Sequence, residues 1–208
     1  MSSSDSSPQS IHEVVADPTA LGLFGLAIVT LVASTQKLGV TAGVSMVVPW
    51  AIFLGGIVQI MAGLYDFKHN NVFGATVFSA YGFFWLGVAS SWMIRMGVFG
   101  EAMAEVADIK QLGYAFFGYL IFSVAATVAA SAIHKTLFAI MCLICLLFVG
   151  LGFDTLGIGG HWAHALAAYS ELGVSLLTFY ACCATFLNRF FDKTVLPLGK
   201  PVPLIRKA

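Results

Sequence analysis

The chain has 208 residues, of which 59% are hydrophobic and only 10% are charged. Soluble domains carry about 25% charged residues, so this composition, with a mean hydropathy of +0.92, excludes an ordinary soluble domain. The 10 basic and 10 acidic residues give a formal net charge of zero, so no basic field is available to hold nucleic acid.

The first stretch, residues 1–16, is rich in serine, acidic, and contains no Lys or Arg. It lacks the charged start and the apolar core of a signal peptide. The sequence therefore predicts a disordered cytoplasmic tail here.

Six apolar runs follow, near the length of about 20 residues that a membrane-spanning helix needs. The predicted spans are Ala20–Thr35, Ala42–Leu64, Val72–Ile94, Leu112–Ile133, Leu137–Phe153 and Ala163–Leu187. The short links between them leave no room for a separate soluble domain. We predict an all-α membrane protein with a six-helix domain over residues 17–190 and a cytoplasmic C-terminal tail over residues 191–208.

The first span begins with an Asp-Pro pair that is typical of a helix start. Asp17 is a favourable N-cap, and Pro18 suits the first turn, where its missing N–H costs nothing. Gly22 and Gly25 follow. In a membrane such small residues let a backbone or a small solute approach the helix axis.

Basic residues outside the spans predict the orientation, because loops rich in Lys and Arg stay in the cytoplasm. With six spans, both termini share one side with the links after the second and fourth spans. That side carries seven basic residues and the other side three: Lys68, Lys135, Arg189, Lys193, Lys200, Arg206 and Lys207 against Lys37, Arg95 and Lys110. We predict an inner or plasma membrane protein with both termini in the cytoplasm.

A weak internal repeat relates the first three spans to the last three. Ala20-Leu21-Gly22 resembles Gln111-Leu112-Gly113, and Phe73–Tyr81 aligns with His161–Tyr169 in two alanines and the closing tyrosine. Two halves of three spans each must cross the bilayer in opposite directions. This is the inverted-repeat plan of many transporters and channels.

Four sequence blocks are distinctive: DPTALGL at residues 17–23, GGIVQIMAGLYDFKHNNVFG at Gly55–Gly74, FSAYGFFWL at Phe78–Leu86 and TVLPLG at Thr194–Gly199. Their content, order and spacing resemble the acetate/succinate transporter family, the GPR1/FUN34/YaaH group. The first block is similar to the family's NPAPLGL signature, with Asp17 where the family has Asn and Ala20 where it has Pro.

The resemblance implies a transporter or channel for small monocarboxylates, acetate first and succinate second, with a narrow pore in each protomer of a homohexamer. It also implies that Tyr81 lies in an apolar constriction with an aromatic residue from the first span and an aliphatic residue from the fifth. The matching positions are Leu26, where the family has Phe, and Leu143 or Ile144. By the internal repeat, Phe117 corresponds to Leu26 and is a candidate for the missing ring.

Polar residues at depth within the predicted spans are further candidates for a functional role. Gln59 lies in an otherwise apolar run, so its amide faces protein or water, as a bond between helices or as a pore lining. Asp66 ends the second span as a solvated flank or a helix cap, or as a functional acid where the resembling family has one. The candidate substrate-binding residues are Asp17, Leu21, Gly22, Leu26, Thr30, Gln59, Tyr81, Trp85, Leu143 and Ile144.

Glu171 lies within the last span, roughly 12 Å below its predicted start at about 1.5 Å per residue. A carboxylate at that depth is by default a functional-site hypothesis. His164, Ser175 and Thr178 share its helix face, so we predict a proton route in which Glu171, His164 and Asp66 are the coupling candidates. The structural alternative is a protonated Glu171 that ties the last span to a neighbour.

Neither catalysis nor metal binding is expected. His161 and His164 are spaced to share a ligand face, but the chain has no HExxH motif and no second carboxylate cluster. No cofactor is indicated; the expected partners are a small carboxylate, the lipid bilayer and further copies of the chain. The alternative function is a passive channel for a neutral solute such as urea or the protonated acid, because no Lys or Arg lies deep in the predicted spans.

Overall fold

The structure is a computed structural model that describes residues 15–205, and within this range every regular element is a helix. The helices are α1 (Thr19–Lys37), α2 (Val48–Lys68), α3 (Val72–Arg95), α4 (Glu101–Glu105), α5 (Lys110–Ser131), α6 (Lys135–Leu156) and α7 (Gly160–Phe190). All except the short α4 are long and apolar enough to cross a membrane, which confirms the six predicted helices. Most of the predicted N-terminal tail, residues 1–14, lies outside the described residues, as do Arg206 and Lys207.

The largest boundary difference is at the start of α2, which begins at Val48 and not at Ala42. Gly43 has a φ of +73°, a backbone conformation that an α-helix cannot contain. Pro49 then occupies the first turn of the helix, where it needs no N–H donor. The apolar run therefore includes a turn that periodicity did not separate from the helix.

The middle of α2, Ala51–Val58, winds as a π-helix, which the sequence did not predict. Two glycines in this stretch let α3 approach closely. A Cβ on Gly55 would lie 2.7 Å from the Trp85 ring, and a Cβ on Gly56 would lie 2.5 Å from Leu86. The π-helical stretch therefore packs closely against α3, and such stretches are frequent at functional sites.

The long helices alternate in direction. The starts of α1, α3 and α6 and the ends of α2, α5 and α7 share one side of the bundle, which we call the termini side. Contacts across this side include His69 Nε2 to the Ala16 carbonyl oxygen at 3.0 Å. Because α1 and α5 begin the two halves and run in opposite directions, the order of the helices is that of the predicted inverted repeat.

The two halves are not equivalent in their packing. The aligned tyrosines differ, since Tyr81 is 3% exposed and Tyr169 is 69% exposed. α1 packs along α7 and α2 at close range. Gly22 makes the approach to α2 possible, because a Cβ there would lie 2.9 Å from the Ala62 Cβ. Between α3 and α5, aromatic side chains separate the backbones, as in the Phe84–Tyr119 pair at 4.9 Å.

Large apolar side chains cover the outside of the bundle. Phe53, Phe83 and Ile121 are 58%, 62% and 75% exposed. In water such a surface would associate with other apolar surfaces, whereas hydrocarbon solvates it. The exterior therefore matches a lipid environment.

The segment after α7 returns to the turn between α5 and α6. Thr136 N donates to the Leu198 carbonyl oxygen at 3.1 Å, and Val202 N donates to the Ser131 carbonyl oxygen at 2.9 Å. These bonds hold residues 198–202 against the termini side of the bundle.

Candidate functional site

A small cavity lies at the centre of the bundle, about halfway along four of the helices, α1, α3, α6 and α7. Its volume is about 20 Å³, which is room for about one water molecule. We call the cavity and its lining the neck. The lining residues are Leu26, Thr30, Tyr81, Phe84, Trp85, Ile144, Leu147, Phe148 and Val174.

The neck brings together five of the candidate residues: Leu26, Thr30, Tyr81, Trp85 and Ile144. The two aliphatic candidates on α6 differ in position. Ile144 lines the cavity, whereas Leu143 packs against α7, where its Cδ1 lies 3.2 Å from the position of a Cβ on Gly173.

The expectation that Phe117 supplies the ring missing at Leu26 is wrong. Phe117 stacks edge-on against Phe153, with ring centroids 5.4 Å apart, and its ring covers Gly152. The rings around the neck come instead from Phe84 and Phe148, which meet at 5.2 Å, together with Trp85. The reason is the unequal packing of the halves, which keeps α5 away from the position that α1 occupies.

Hydrogen bonds within the protein satisfy the polar groups of the neck. The Tyr81 hydroxyl lies 2.8 Å from Ser123 Oγ, which itself donates to the Tyr119 carbonyl oxygen at 2.6 Å. Since a serine hydroxyl has one proton, Tyr81 is the donor to Ser123. Thr30 Oγ1 donates to the Leu26 carbonyl oxygen at 2.7 Å. The neck therefore presents mainly carbon to a solute.

A wide opening of about 780 Å³ lies on the termini side, at the start of α1. Asp17 lies in it, with Oδ1 accepting from Thr19 N at 2.9 Å and Oδ2 at 3.1 Å from Arg189 Nη2. The N-cap residue is Pro18, one position later than predicted, but the carboxylate still binds the first turn. Burial acts to raise the pKa of Asp17, but the bond from Thr19 and the charge of Arg189 outweigh burial, and the pKa is below its ordinary value.

Asp66 lies beside this opening and is 1% exposed. Its Oδ1 accepts from Asn71 Nδ2 at 3.0 Å. Its Oδ2 lies against Gly74 in the first turn of α3 and has no hydrogen-bond partner among the described residues. The chain's own carboxylates thus occupy the positive ends of α1 and α3. These helix starts are not free to attract an anionic solute.

A buried ion pair lies at the opposite side. Lys37 Nζ, at the end of α1, is 2.9 Å from Glu171 Oε2 of α7, and their side chains are 14% and 2% exposed. Lys37 is the last residue of α1, just beyond the predicted first span, and its side chain turns into the bundle, which the sequence did not predict. Of the predicted polar face, Ser175 donates to the Ala27 carbonyl oxygen at 2.9 Å, and Thr178 Oγ1 is buried with no partner among the described residues.

His164 lies next to this pair on the exposed rim. Its Nε2 is 2.9 Å from the carbonyl oxygen of Lys37, and its Nδ1 is 3.1 Å from Asp154 Oδ2. The side chains of His164 and Asp154 are 47% and 37% exposed. His164 and Asp154 thus form a polar, water-exposed rim beside the end of α1 that carries the pair.

Besides Asp17 and Leu143, three further substrate-binding candidates do not reach the neck. Leu21 is 46% exposed on the outer surface, and Gly22 packs against Phe78. Gln59 is fully buried; its Nε2 donates to the Gly55 carbonyl oxygen of its own helix at 2.9 Å, and its Oε1 has no partner among the described residues. The Gln59 amide therefore neither bonds to another described helix nor lines the neck.

The sequence reasoning missed Phe84, Phe148 and Lys37. The two phenylalanines lie in apolar runs where every aromatic is equally plausible. Lys37 was counted as a loop residue, and 134 positions separate it from Glu171. The sequence offered one signal for this ion pair: Lys37 and Glu171 have opposite charges and lie toward the same membrane face.

Comparison with known proteins identifies relatives along nearly the whole chain. The GPR1/FUN34/yaaH family matches residues 3–200. The succinate-acetate/proton symporter SatP of Escherichia coli (strain K12) is 31% identical over 195 residues, which cover 89% of this chain and 96% of that protein. Acetate permease A of Emericella nidulans is 30% identical over 146 residues, 68% of this chain and 49% of that protein.

A solved structure also matches the fold. The structure of the bacterial acetate channel SatP superimposes with a TM-score of 0.82 at 26% identity, covering 89% of this chain and all of that one. These relatives are named as transporters or channels and not as enzymes. This chain is an integral membrane protein, and it belongs to the GPR1/FUN34/yaaH family.

Proposed function

We propose that this protein carries small monocarboxylates, above all acetate, and also succinate, across a membrane through the neck of each protomer. The observation that carries the proposal is the neck itself, an apolar cavity of one water's volume halfway along the bundle. The names of SatP and acetate permease A support the choice of substrate.

The size of the neck determines how a solute passes. About 20 Å³ is too small for acetate, so side chains must move before the methyl end can enter. Leu26 and Ile144 are aliphatic and have no polar bond to break, whereas the Tyr81 hydroxyl is held by Ser123. We expect the two aliphatic side chains to move and the Tyr81 ring to set the remaining width.

A second candidate is passage of a neutral solute, such as urea or the protonated acid. It is favoured by the lining of the neck, which contains no charged side chain. Moving an unpaired carboxylate from water into such a site costs several kcal/mol, on the order of the penalty for any buried ion. The substrate charge must therefore be neutralised by a proton or met by a cation close to the neck.

The proposal also includes the domain bounds, the membrane orientation and the oligomeric state. We place a six-helix domain over residues 17–190 with a tail at each end, both termini in the cytoplasm of a cell bounded by an inner or plasma membrane, and a homohexamer with one pore per protomer. The basic residues of the termini side support the orientation. The apolar exterior supports burial in lipid or against other protomers.

Counterflow in proteoliposomes tests the function. Vesicles preloaded with unlabelled acetate should accumulate labelled acetate, and vesicles preloaded with urea should not accumulate labelled urea. Protein-free vesicles measure the passive leak of the undissociated acid. Urea counterflow without acetate counterflow would establish the second candidate, and absence of both would contradict transport. An imposed membrane potential then separates the moving anion, which responds to voltage, from a neutral species, which does not.

A further inference from the structure

The Lys37–Glu171 ion pair lies next to the neck. Glu171 precedes Val174 of the neck by three residues, so it lies roughly 4.5 Å further along α7 at about 1.5 Å per residue. Thr30, another neck residue, lies two turns before Lys37 on α1. Between the pair and the neck, α1 carries the fully buried hydroxyl of Ser34, whereas Ser175 and Thr178 follow Val174 on α7 and lie on its other side. A solute that leaves the neck on this side passes the level of Ser34 and then meets the ion pair.

The pair has the form of an occupied carboxylate site. Lys37 Nζ binds a carboxylate oxygen at 2.9 Å in a setting almost closed to water, and that carboxylate belongs to the chain. A substrate carboxylate has the same chemistry as Glu171. It can replace Glu171 at Lys37 only if the glutamate first loses its charge, because an unpaired buried carboxylate is strongly unfavourable.

We propose that Lys37 and Glu171 form a proton-switched carboxylate site, which rests on the proposed function and supplies its coupling. One proton from water joins the Glu171 carboxylate, and the neutral acid releases Lys37. One substrate carboxylate then pairs with the Lys37 ammonium, so the net charge of the site is the same before and after. Release runs in reverse, as the proton leaves Glu171 and the re-formed ion pair displaces the substrate.

Coupling follows from the cost of the two half-steps. A proton without a substrate leaves Lys37 buried and unpaired, and a substrate without a proton places two carboxylates on one ammonium. Both states are disfavoured in a site this dry. The proton and the carboxylate therefore bind together.

The charged and titratable groups around Glu171 provide the proton's path. At this end of the bundle α1 carries Lys37, α6 carries Asp154, and α7 carries His161 and His164 besides Glu171 itself. His164 contacts both the Lys37 backbone and Asp154, and both side chains reach water. Titratable groups thus stand at the water-exposed rim, and the Lys37 side chain, which is 14% exposed, connects this rim to Glu171.

Glu171→Gln tests the site, because glutamine still accepts a hydrogen bond from Lys37 but cannot titrate. In proteoliposomes the wild-type protein should bind acetate more tightly as the external pH falls, and a proton gradient should drive accumulation. In Glu171→Gln the apparent affinity should be about tenfold higher than wild type at alkaline pH, and it should no longer vary with pH. The gradient should no longer drive accumulation, while counterflow continues. Glu101→Gln, an exposed acid on α4, is the matched control and should behave as wild type.

The double variant Lys37→Gln/Glu171→Gln removes both charges and should lose the tight binding that the single variant gains. The wild-type protein gives a readout that needs no variant, since acetate binding should take up one proton from weakly buffered solution. Acetate binding without proton uptake, or proton-driven accumulation with unchanged pH dependence in Glu171→Gln, would overturn the site. A wild type without acetate counterflow would instead contradict the proposed function.

Discussion

Truncation of Tyr81 is the most direct test of the neck. Its side chain is 3% exposed and forms one wall of a cavity of about 20 Å³. Tyr81→Ala removes the ring and leaves an opening on the α3 side. Large aromatic truncations in a core cost about 3–5 kcal/mol of stability. Tyr81→Phe removes only the donor to Ser123, which keeps its own bond to the Tyr119 carbonyl oxygen, and should cost about 1 kcal/mol.

The size limit should change with the ring and not with the hydroxyl. We expect the ratio of lactate to acetate uptake to rise at least about tenfold in Tyr81→Ala, which corresponds to a barrier lower by about 1.4 kcal/mol. In Tyr81→Phe the ratio should stay near wild type. Phe83→Ala is the matched aromatic control on the same helix, because Phe83 is 62% exposed and faces outward.

The assay is initial-rate uptake of labelled acetate and lactate into proteoliposomes, with the amount of inserted protein measured for each variant. Size-exclusion chromatography and thermal unfolding show whether each variant is folded. A folded Tyr81→Ala protein that is less stable than wild type but keeps the wild-type uptake ratio would refute the position of Tyr81 in the solute path.

Three further predictions concern α6, α1 and the opening on the termini side. Ile144→Ala should raise the same uptake ratio, whereas Leu143→Ala, which removes packing against α7, should lower thermal stability with the ratio unchanged. Gly25→Ala should lower the yield of folded protein in size-exclusion chromatography, because a Cβ there collides with a carbonyl oxygen of α2; Gly87→Ala, where a Cβ meets open space, should not. Asp17→Ala should lose about 1 kcal/mol in thermal unfolding, and Asp17→Asn should retain the bond to the first turn. Because the pKa of Asp17 is lowered in the fold, its charge contributes stability above the ordinary pKa of an aspartate, and this contribution is lost as the pH falls through the folded pKa; thermal unfolding of wild type and Asp17→Asn in acid compares the two.

Several properties of this protein are readable from the sequence because they depend on local composition. An apolar run of about 20 residues has few alternatives to a membrane-spanning helix, since every backbone polar group must be satisfied inside hydrocarbon. The number and order of the helices follow from this rule. The family resemblance adds Leu26, Tyr81 and an aliphatic residue of α6, which the structure brings together around one cavity. Periodicity and composition alone did not distinguish these positions from other buried ones.

The exact ends of the helices and the π-helical stretch of α2 could not be predicted from the sequence. The start of α2 was placed six residues early, because a turn made of apolar residues has the same hydropathy as a helix. The π-helical stretch around Gly55 depends on how closely α3 approaches. Such an approach is a property of two segments together and has no signature in either one alone.

The polar site was decided by the tertiary structure. Glu171 stood out in the sequence because a carboxylate in an apolar span requires a partner, but the partner lies 134 positions away at the far end of α1. The close packing of α1 on α7 brings Lys37 to it, and the wider, ring-filled gap between α3 and α5 keeps Phe117 from the place that the repeat predicts. Local hydropathy determines that a helix forms and spans the membrane. Which side chains meet depends on the distance and rotation between helices, and these are determined by small residues and rings on several segments at once.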